Sequence, residues 1–266
     1  MDFTEHTAPN GVVYLTAPTI GCRHAFTTRI GGVSTGDQAG LNLSVHLDPE
    51  FAHVAENYRR LGEAVGIDTG RMARTQQVHG NVVRTVTQAD IHTLGAPVPY
   101  EADGLVTDVP GLALICYTAD CVPVLLWDGE NRACAAVHCG WRSSVSDILK
   151  NAVEAMSALG AQRSRIRAAI GPAISRCCFE VGPEVVEAVD RWLGGDSAGL
   201  YTPVDGREGK HLLDLKAANA RRLRQLGVPE DGIAVSDDCT FCLPEKYWSH
   251  RYTHGRRGNQ GALIVL

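Results

Sequence analysis

Three residues of this chain join reactive chemistry to positions beside tight turns or strand ends. His79 lies in QQVHG, Cys121 in TADCVPVLL between two apolar runs, and His138 in AAVHCGWR, where a strand gives way to a helix. Side chains at strand ends beside glycines are well placed to line a pocket. Together they make one soft thiolate and two imidazoles, a three-ligand set of the catalytic zinc type that leaves a fourth position for water or substrate. Separations of 42 and 17 residues match no local metal motif. Residue types therefore leave two readings open: a metal centre, or a buried thiol with two hydrogen-bonded histidines. A metal-free variant of the same trio is a nucleophilic Cys121 with His138 as its base.

Other polar groups carry weaker signals. Asp120 precedes Cys121, where it could orient a ligand through a hydrogen bond or cap a turn. Arg29 lies in TTRIGGVS after a strand, and its planar fork suits an anion. That segment is neither a Walker loop nor a dinucleotide fingerprint, because the Gly-Lys-Ser/Thr ending and the G-x-G-x-x-G spacing are absent. Cys239 and Cys242 have Cys-x-x-Cys spacing, but no second ligand pair is close in sequence and a thioredoxin-like site needs a βαβ context, so one or both are expected to be small buried residues. Cys177 and Cys178 are adjacent, which disfavours an ordinary mutual disulfide. Strand alternation turns Cys134 to the same face as His138, which makes it a candidate spare thiol near the site. There is no Gly-x-Ser-x-Gly, His-Glu-x-x-His, EF-hand loop or His-x-His pair. Ten scattered histidines do not resemble the ligands of a trinuclear copper cluster.

The elements that must position these residues follow from periodicity. Short β-rich runs predict strands at 12–16, 23–28, 82–86, 112–117, 122–127, 133–138, 165–170 and 261–266. Several are apolar throughout, as strands covered on both faces are. Helical patterns occupy about 50–65, 143–159, 183–193 and 213–226, the second carrying apolar residues at three- and four-residue steps from Val145 to Leu159. The class is α/β or α+β with mixed sheets, read as a single domain over 1–266, with 194–210 as a surface loop. Composition fits: 266 residues, 44% hydrophobic, 21% charged and a net charge of -5. A mildly acidic chain is a poor general partner for nucleic acid or an anionic membrane. The opening MDFTEHTAPN is acidic and polar, unlike a signal peptide, and no apolar run approaches a membrane span. The expectation is a cytoplasmic protein whose nine cysteines form no structural disulfide.

In order, the segments HAFTTRIGGVSTG, LNLSVHLD, VAENYRRL, QQVHGNVV, EADGLVTDVPGLAL, ADCVPVLLWD, AAVHCGWRSS, AIGPAIS, CFEVGPEV, LDLKAANARRL and SHRY resemble the YfiH/laccase-domain family, also called multicopper polyphenol oxidase-like. The ordered set spans about residues 11–266 and is specific where each piece alone is not. Members are described as purine nucleoside phosphorylases with adenosine deaminase activity, and as peptidoglycan editing factors. The resemblance implies a mixed α/β fold with two sheets between helical layers, similar to the catalytic domain of a cytotoxic necrotizing factor. It also implies zinc on His79, Cys121 and His138, from the family patterns Q-x-H-G, D-C-x-P and H-x-G-W-R. The reaction implied is phosphorolysis of a purine nucleoside with inorganic phosphate as co-substrate, for which Arg29 and Arg142 are the candidate anion contacts. A monomer is expected, with no nucleic acid or membrane partner. Rival readings are copper-dependent phenol oxidation, a peptidoglycan-precursor editing hydrolase, a metal-free Cys-His hydrolase or deamidase, and a zinc-stabilised binding protein. Two departures from the family pattern stand out: Ser143 in place of glycine after Trp141-Arg142, and Asn259 in place of arginine in the C-terminal Gly-Arg-Gln.

Overall fold

The computed structural model describes residues 2–266. Two six-stranded mixed sheets form its centre. The first runs, edge to edge, Thr4–Thr7, Val13–Thr16, Arg23–Thr27, Gln260–Val265, Ala113–Thr118 and Met72–Ala73. The second runs Ile233–Val235, Arg167–Ile170, Val122–Asp128, Ala133–Cys139, Gly104–Thr107 and Val83–Thr85. A small third sheet joins Glu180–Val181, His211–Leu213 and Tyr201–Pro203.

The layering explains the unbroken apolar runs. Leu114, Cys116, Ala262 and Ile264 of the first sheet pack directly against Leu105, Leu125, Ala136 and Ala169 of the second. The outer face of the first sheet, with Ala113, Ile115 and Leu263, is covered by the helix Phe51–Val65 through Val54, Tyr58 and Leu61. The outer face of the second, with Val122, Val124, Val137 and Cys139, is covered by Ile148–Ala158, Pro183–Trp192 and Leu215–Gln225. Both faces of the central strands are therefore dry, and alternation of apolar with polar residues has no place in them. The result is a helix–sheet–sheet–helix stack, the mixed α/β class expected from the periodicity.

The helical pattern expected over 143–159 is broken in two, Trp141–Val145 and Ile148–Ala158. Asp147 between them is left-handed, at φ 69. Its carboxylate receives Trp192 Nε1 at 3.0 Å and Arg222 Nε at 2.8 Å. These tertiary contacts hold a conformation that local propensity disfavours. Short strands at Thr4–Thr7, Met72–Ala73, Gly104–Thr107 and Ile233–Val235, and the third sheet, carry too little periodicity to be read from sequence. Among the described residues no helix is long and apolar enough to cross a membrane, and no disulfide is formed.

Candidate metal centre and its cavity

The hairpin of Val122–Asp128 and Ala133–Cys139 sets the geometry of the site. Its register pairs Pro123 with His138 and Val122 with Cys139. Cys121, one residue before its strand, thus sits beside the end of the partner strand that carries His138. Gly104–Thr107 pairs with the other edge of that strand, Gly104 opposite Val137. This brings Asp103 level with His138, whose backbone N–H donates to the Asp103 carbonyl at 2.7 Å.

Asp103 is fully buried and organises two histidines at once. One carboxylate oxygen lies 2.8 Å from His138 Nδ1. The same carboxylate accepts the backbone N–H groups of Val78, His79 and Gly80 at 3.1, 3.0 and 2.8 Å. These bonds hold the turn in which His79 adopts φ 60, a left-handed conformation uncommon outside glycine. Burial works against a charge on Asp103, but His138 and the backbone donors outweigh it and keep the carboxyl below its usual range. With Nδ1 engaged, His138 turns Nε2 toward the other two residues.

The Cys121 sulfur lies 3.8 Å from His79 Nε2, and the His79 and His138 rings meet edge to face at a centroid distance of 4.8 Å. One ligand atom from each of the three residues lies within 4.8 Å of the others. Burial alone would raise the Cys121 thiol, but the His138 cation and hydrogen bonds from both imidazoles prevail and hold it at about 6. Burial likewise opposes the His138 charge, while Cys121 and Asp103 raise that imidazole to about 9. Gly140 leaves the space open: a Cβ there would meet His79 Cδ2 at 2.9 Å and Cys121 Sγ at 3.4 Å.

This donor set suits zinc: a thiolate held ionised, two imidazoles, and a carboxylate fixing the tautomer of one of them. No methionine stands at the wall to supply the axial ligand of a blue-copper centre. Met72 lies instead in the apolar layer beneath Phe51–Val65.

Asp120 does not face the ligands. It holds φ 84, and its carboxylate accepts the Thr240 hydroxyl at 2.6 Å and the Arg251 N–H at 2.6 Å. It anchors the turn before Cys121, while the carboxylate behind the histidine is Asp103, which residue-by-residue reading of EADG did not single out. Cys134 shares the His138 face of its strand but lies four residues back, between the two sheets. Burial pushes its thiol well above the usual range, so it is a core residue and not a spare thiol of the site.

The trio forms one wall of a cavity of about 690 Å³. Arg74, Tyr117, His250, Arg251, Arg257 and Asn259 also line it. Neither Arg29 nor Arg142 is among the lining residues. Arg29 lies over the Trp248 ring at 3.9 Å and donates to the carbonyls of Pro244 at 2.9 Å and Ala39 at 3.1 Å. Arg142 is exposed and lies over Trp141. Arg257 is half-buried, donates to the Asn259 side-chain oxygen and the Gly258 carbonyl, and leaves its Nε unpaired. Asn259 thus stands on the cavity wall in contact with an arginine, whereas Ser143 is buried in the short helix with its hydroxyl unpaired. The signal for the arginines was the basic run SHRYTHGRR, whose members are brought together by the short helix His250–Thr253 and the turn after it.

The chain is similar to known proteins over nearly its whole length. Residues 23–266 match the family model described as multi-copper polyphenol oxidoreductase laccase. The chain is 41% identical over 260 residues to a purine nucleoside phosphorylase of Deinococcus radiodurans, covering 98% of this chain and 95% of that one. It is 34% identical over 233 residues to adenosine deaminase RL5 from an unknown prokaryote, covering 85% of this chain and 87% of the relative. The crystal structure of YlmD from Geobacillus stearothermophilus superimposes with a TM-score of 0.90 at 32% identity, covering 98% of each chain. With a family match over nearly its whole length and relatives of this identity, the chain belongs to the laccase-like YfiH family.

Proposed function

We propose that this chain is a zinc-dependent purine nucleoside phosphorylase whose metal is held by His79, Cys121 and His138. The observation that carries the reading is the trio's position on the wall of a cavity that also presents Arg257 with an unpaired Nε. The name of the Deinococcus relative, matched over 98% of this chain, supplies the reaction class. When bound, zinc contributes a Lewis acid with one open coordination position.

In the reaction an oxygen of phosphate forms a bond to the anomeric carbon of the ribose. The bond from that carbon to the purine nitrogen breaks, and the electron pair leaves with the base, which takes up a proton. Negative charge is present on the phosphate throughout and develops on the departing base. Arg257 and Arg251 supply the guanidinium groups for the phosphate, the role that sequence reading assigned to Arg29 and Arg142. Asp103 keeps the His138 proton on Nδ1, so that Nε2 remains available as a ligand. Gln77 shapes the wall: its amide donates to the Tyr117 carbonyl and accepts from the Tyr117 N–H, at 2.8 and 2.7 Å.

Inosine and adenosine assayed with phosphate, with arsenate and with neither test the reading. Base release that requires one of the anions, with ribose 1-phosphate formed from phosphate, is the expected result. Base release without either anion points to a hydrolase. Ammonia from adenosine without base release points to a deaminase, the activity named for the RL5 relative.

A second reading is favoured by one specific observation. Cys121, His138 and Asp103 also form the thiolate, base and orienting carboxylate of a cysteine nucleophile. Metal content separates the two: a zinc bound to Cys121 in stoichiometric amount occupies the sulfur lone pairs that a nucleophile needs.

A further inference from the structure

We propose a second metal site in this protein, a tetrathiolate zinc centre built by Cys177, Cys178, Cys239 and Cys242. It does not rest on the phosphorylase reading and shares no ligand with the first site. The four sulfurs come from two turns that are distant in sequence. One follows Gly171 and carries the adjacent pair, and the other is the Cys-x-x-Cys turn. Cys178 Sγ lies 3.3 Å from Cys242 Sγ and 3.5 Å from Cys177 Sγ, and Cys177 Sγ lies 3.6 Å from Cys242 Sγ. All four sulfurs lie within 4.8 Å of one another. Zn–S bonds of about 2.3 Å put the corners of a regular sulfur tetrahedron about 3.8 Å apart. A disulfide needs sulfurs about 2.05 Å apart, and it joins two of them rather than gathering four.

The backbone around the cluster is arranged for thiolates. Ser175 N–H donates to Cys239 Sγ at 3.3 Å. Four sulfurs this close cannot all carry charge alone, whereas a divalent cation between them removes the repulsion. A tetrahedral all-sulfur set selects zinc over the harder divalent metals.

The centre would act as a staple. Cys239 pairs with Ala173 across a parallel bridge, and Thr240 N–H donates to the Ala173 carbonyl at 3.1 Å. The same two segments hold Asp120: Ile174 N–H donates to its carbonyl at 3.0 Å and the Thr240 hydroxyl to its carboxylate at 2.6 Å. A metal clamping these turns steadies the residue that precedes Cys121, without touching the cavity. A closed four-sulfur shell leaves no open position for substrate.

The first test is zinc content of the full chain purified with reductant and without chelator. Two zincs per chain are expected, falling to one in Cys239→Ser/Cys242→Ser and to one in Cys121→Ala. Zinc content that is the same in the wild type and in the Cys239→Ser/Cys242→Ser protein overturns the proposal. Because that variant could fail to fold, a second measurement uses His79→Ala/His138→Ala, which keeps all four cysteines. Cobalt(II) titrated into this protein after zinc removal should give intense sulfur-to-cobalt absorption that saturates at one cobalt per chain. Absorption that never develops, or alkylation of the denatured wild type that labels seven cysteines instead of nine, shows free thiols or a disulfide in place of the site.

Discussion

The molecule gathers sulfur in two places, and they differ in almost every physical respect. The first set, His79, Cys121 and His138, lies where the central hairpin of the second sheet ends. There a buried carboxylate locks one imidazole, and a cavity opens beside it. The second, Cys177, Cys178, Cys239 and Cys242, lies on turns at the surface, with two of its four cysteines exposed and none of them lining that cavity. A mixed three-ligand set facing a cavity leaves a coordination position for chemistry, whereas an all-sulfur set of four closes on itself. The difference teaches that residue type alone does not separate an open donor set from a closed one; the number of converging donors and the space next to them do.

Cys121→Ala attacks the first region at its only thiolate. Phosphorolysis should fall at least about 100-fold, beyond the usual loss from altering an outer-shell partner. Circular dichroism should show the fold retained, since the residue lies at a strand end and not in an apolar cluster. An active Cys121→Ala protein that loses no zinc relative to the wild type breaks the distinction. Asp103→Asn comes next. The amide keeps the shape but cannot accept from His138 and three backbone N–H groups as the charged carboxylate does, so activity or zinc affinity should drop by about 10–100-fold. Gly140→Ala sharpens the same region, because its methyl meets the His79 ring at 2.9 Å. Lower zinc affinity with little change in the urea midpoint is the outcome that places the damage at the ligands.

Smaller effects separate the cavity from its surroundings. Arg257→Ala should raise KM for phosphate about tenfold if its contact is made in the ground state, while Arg142→Ala, exposed and outside the cavity, should leave KM within about twofold. Equal effects from both would remove the guanidinium assignment. Titration supplies the last comparison. In zinc-depleted protein the Cys121 thiol is held at about 6, so its thiolate fraction should fall as pH drops through 6 and be nearly complete at pH 7.5. Buried Cys134 and Cys139, with thiols driven far upward, should stay protonated there. Alkylation rates across pH 5–9, read residue by residue by mass spectrometry, check this. A Cys121 rate still rising steeply above pH 8 contradicts the assigned environment.

Much of the layout was legible because it follows from local patterns. Phe51–Val65 and Leu215–Gln225 came within about two residues of the expected helices, since their apolar faces repeat at helical steps. The strand runs 112–117, 122–127 and 133–138 stood out because both faces of those strands are covered. The third sheet did not, because its strands have two or three residues and no period to read.

By itself the amino-acid sequence determined the longer helices, the double-faced strands, the family, and the three residues whose chemistry could serve a metal. The tertiary structure decided which groups surround them. Asp103 rather than Asp120 backs His138, because strand register places the start of Gly104–Thr107 level with the His138 turn while a left-handed backbone turns Asp120 toward Thr240. Arg257 rather than Arg29 faces the cavity, because Trp248 and two carbonyls hold the Arg29 guanidinium elsewhere. The four cysteines meet across 65 residues of chain, from Cys177 to Cys242, a convergence that no local spacing records. Periodicity and propensity act over a few residues, whereas a site is closed by contacts between segments whose separation in sequence carries no signal of their distance in space.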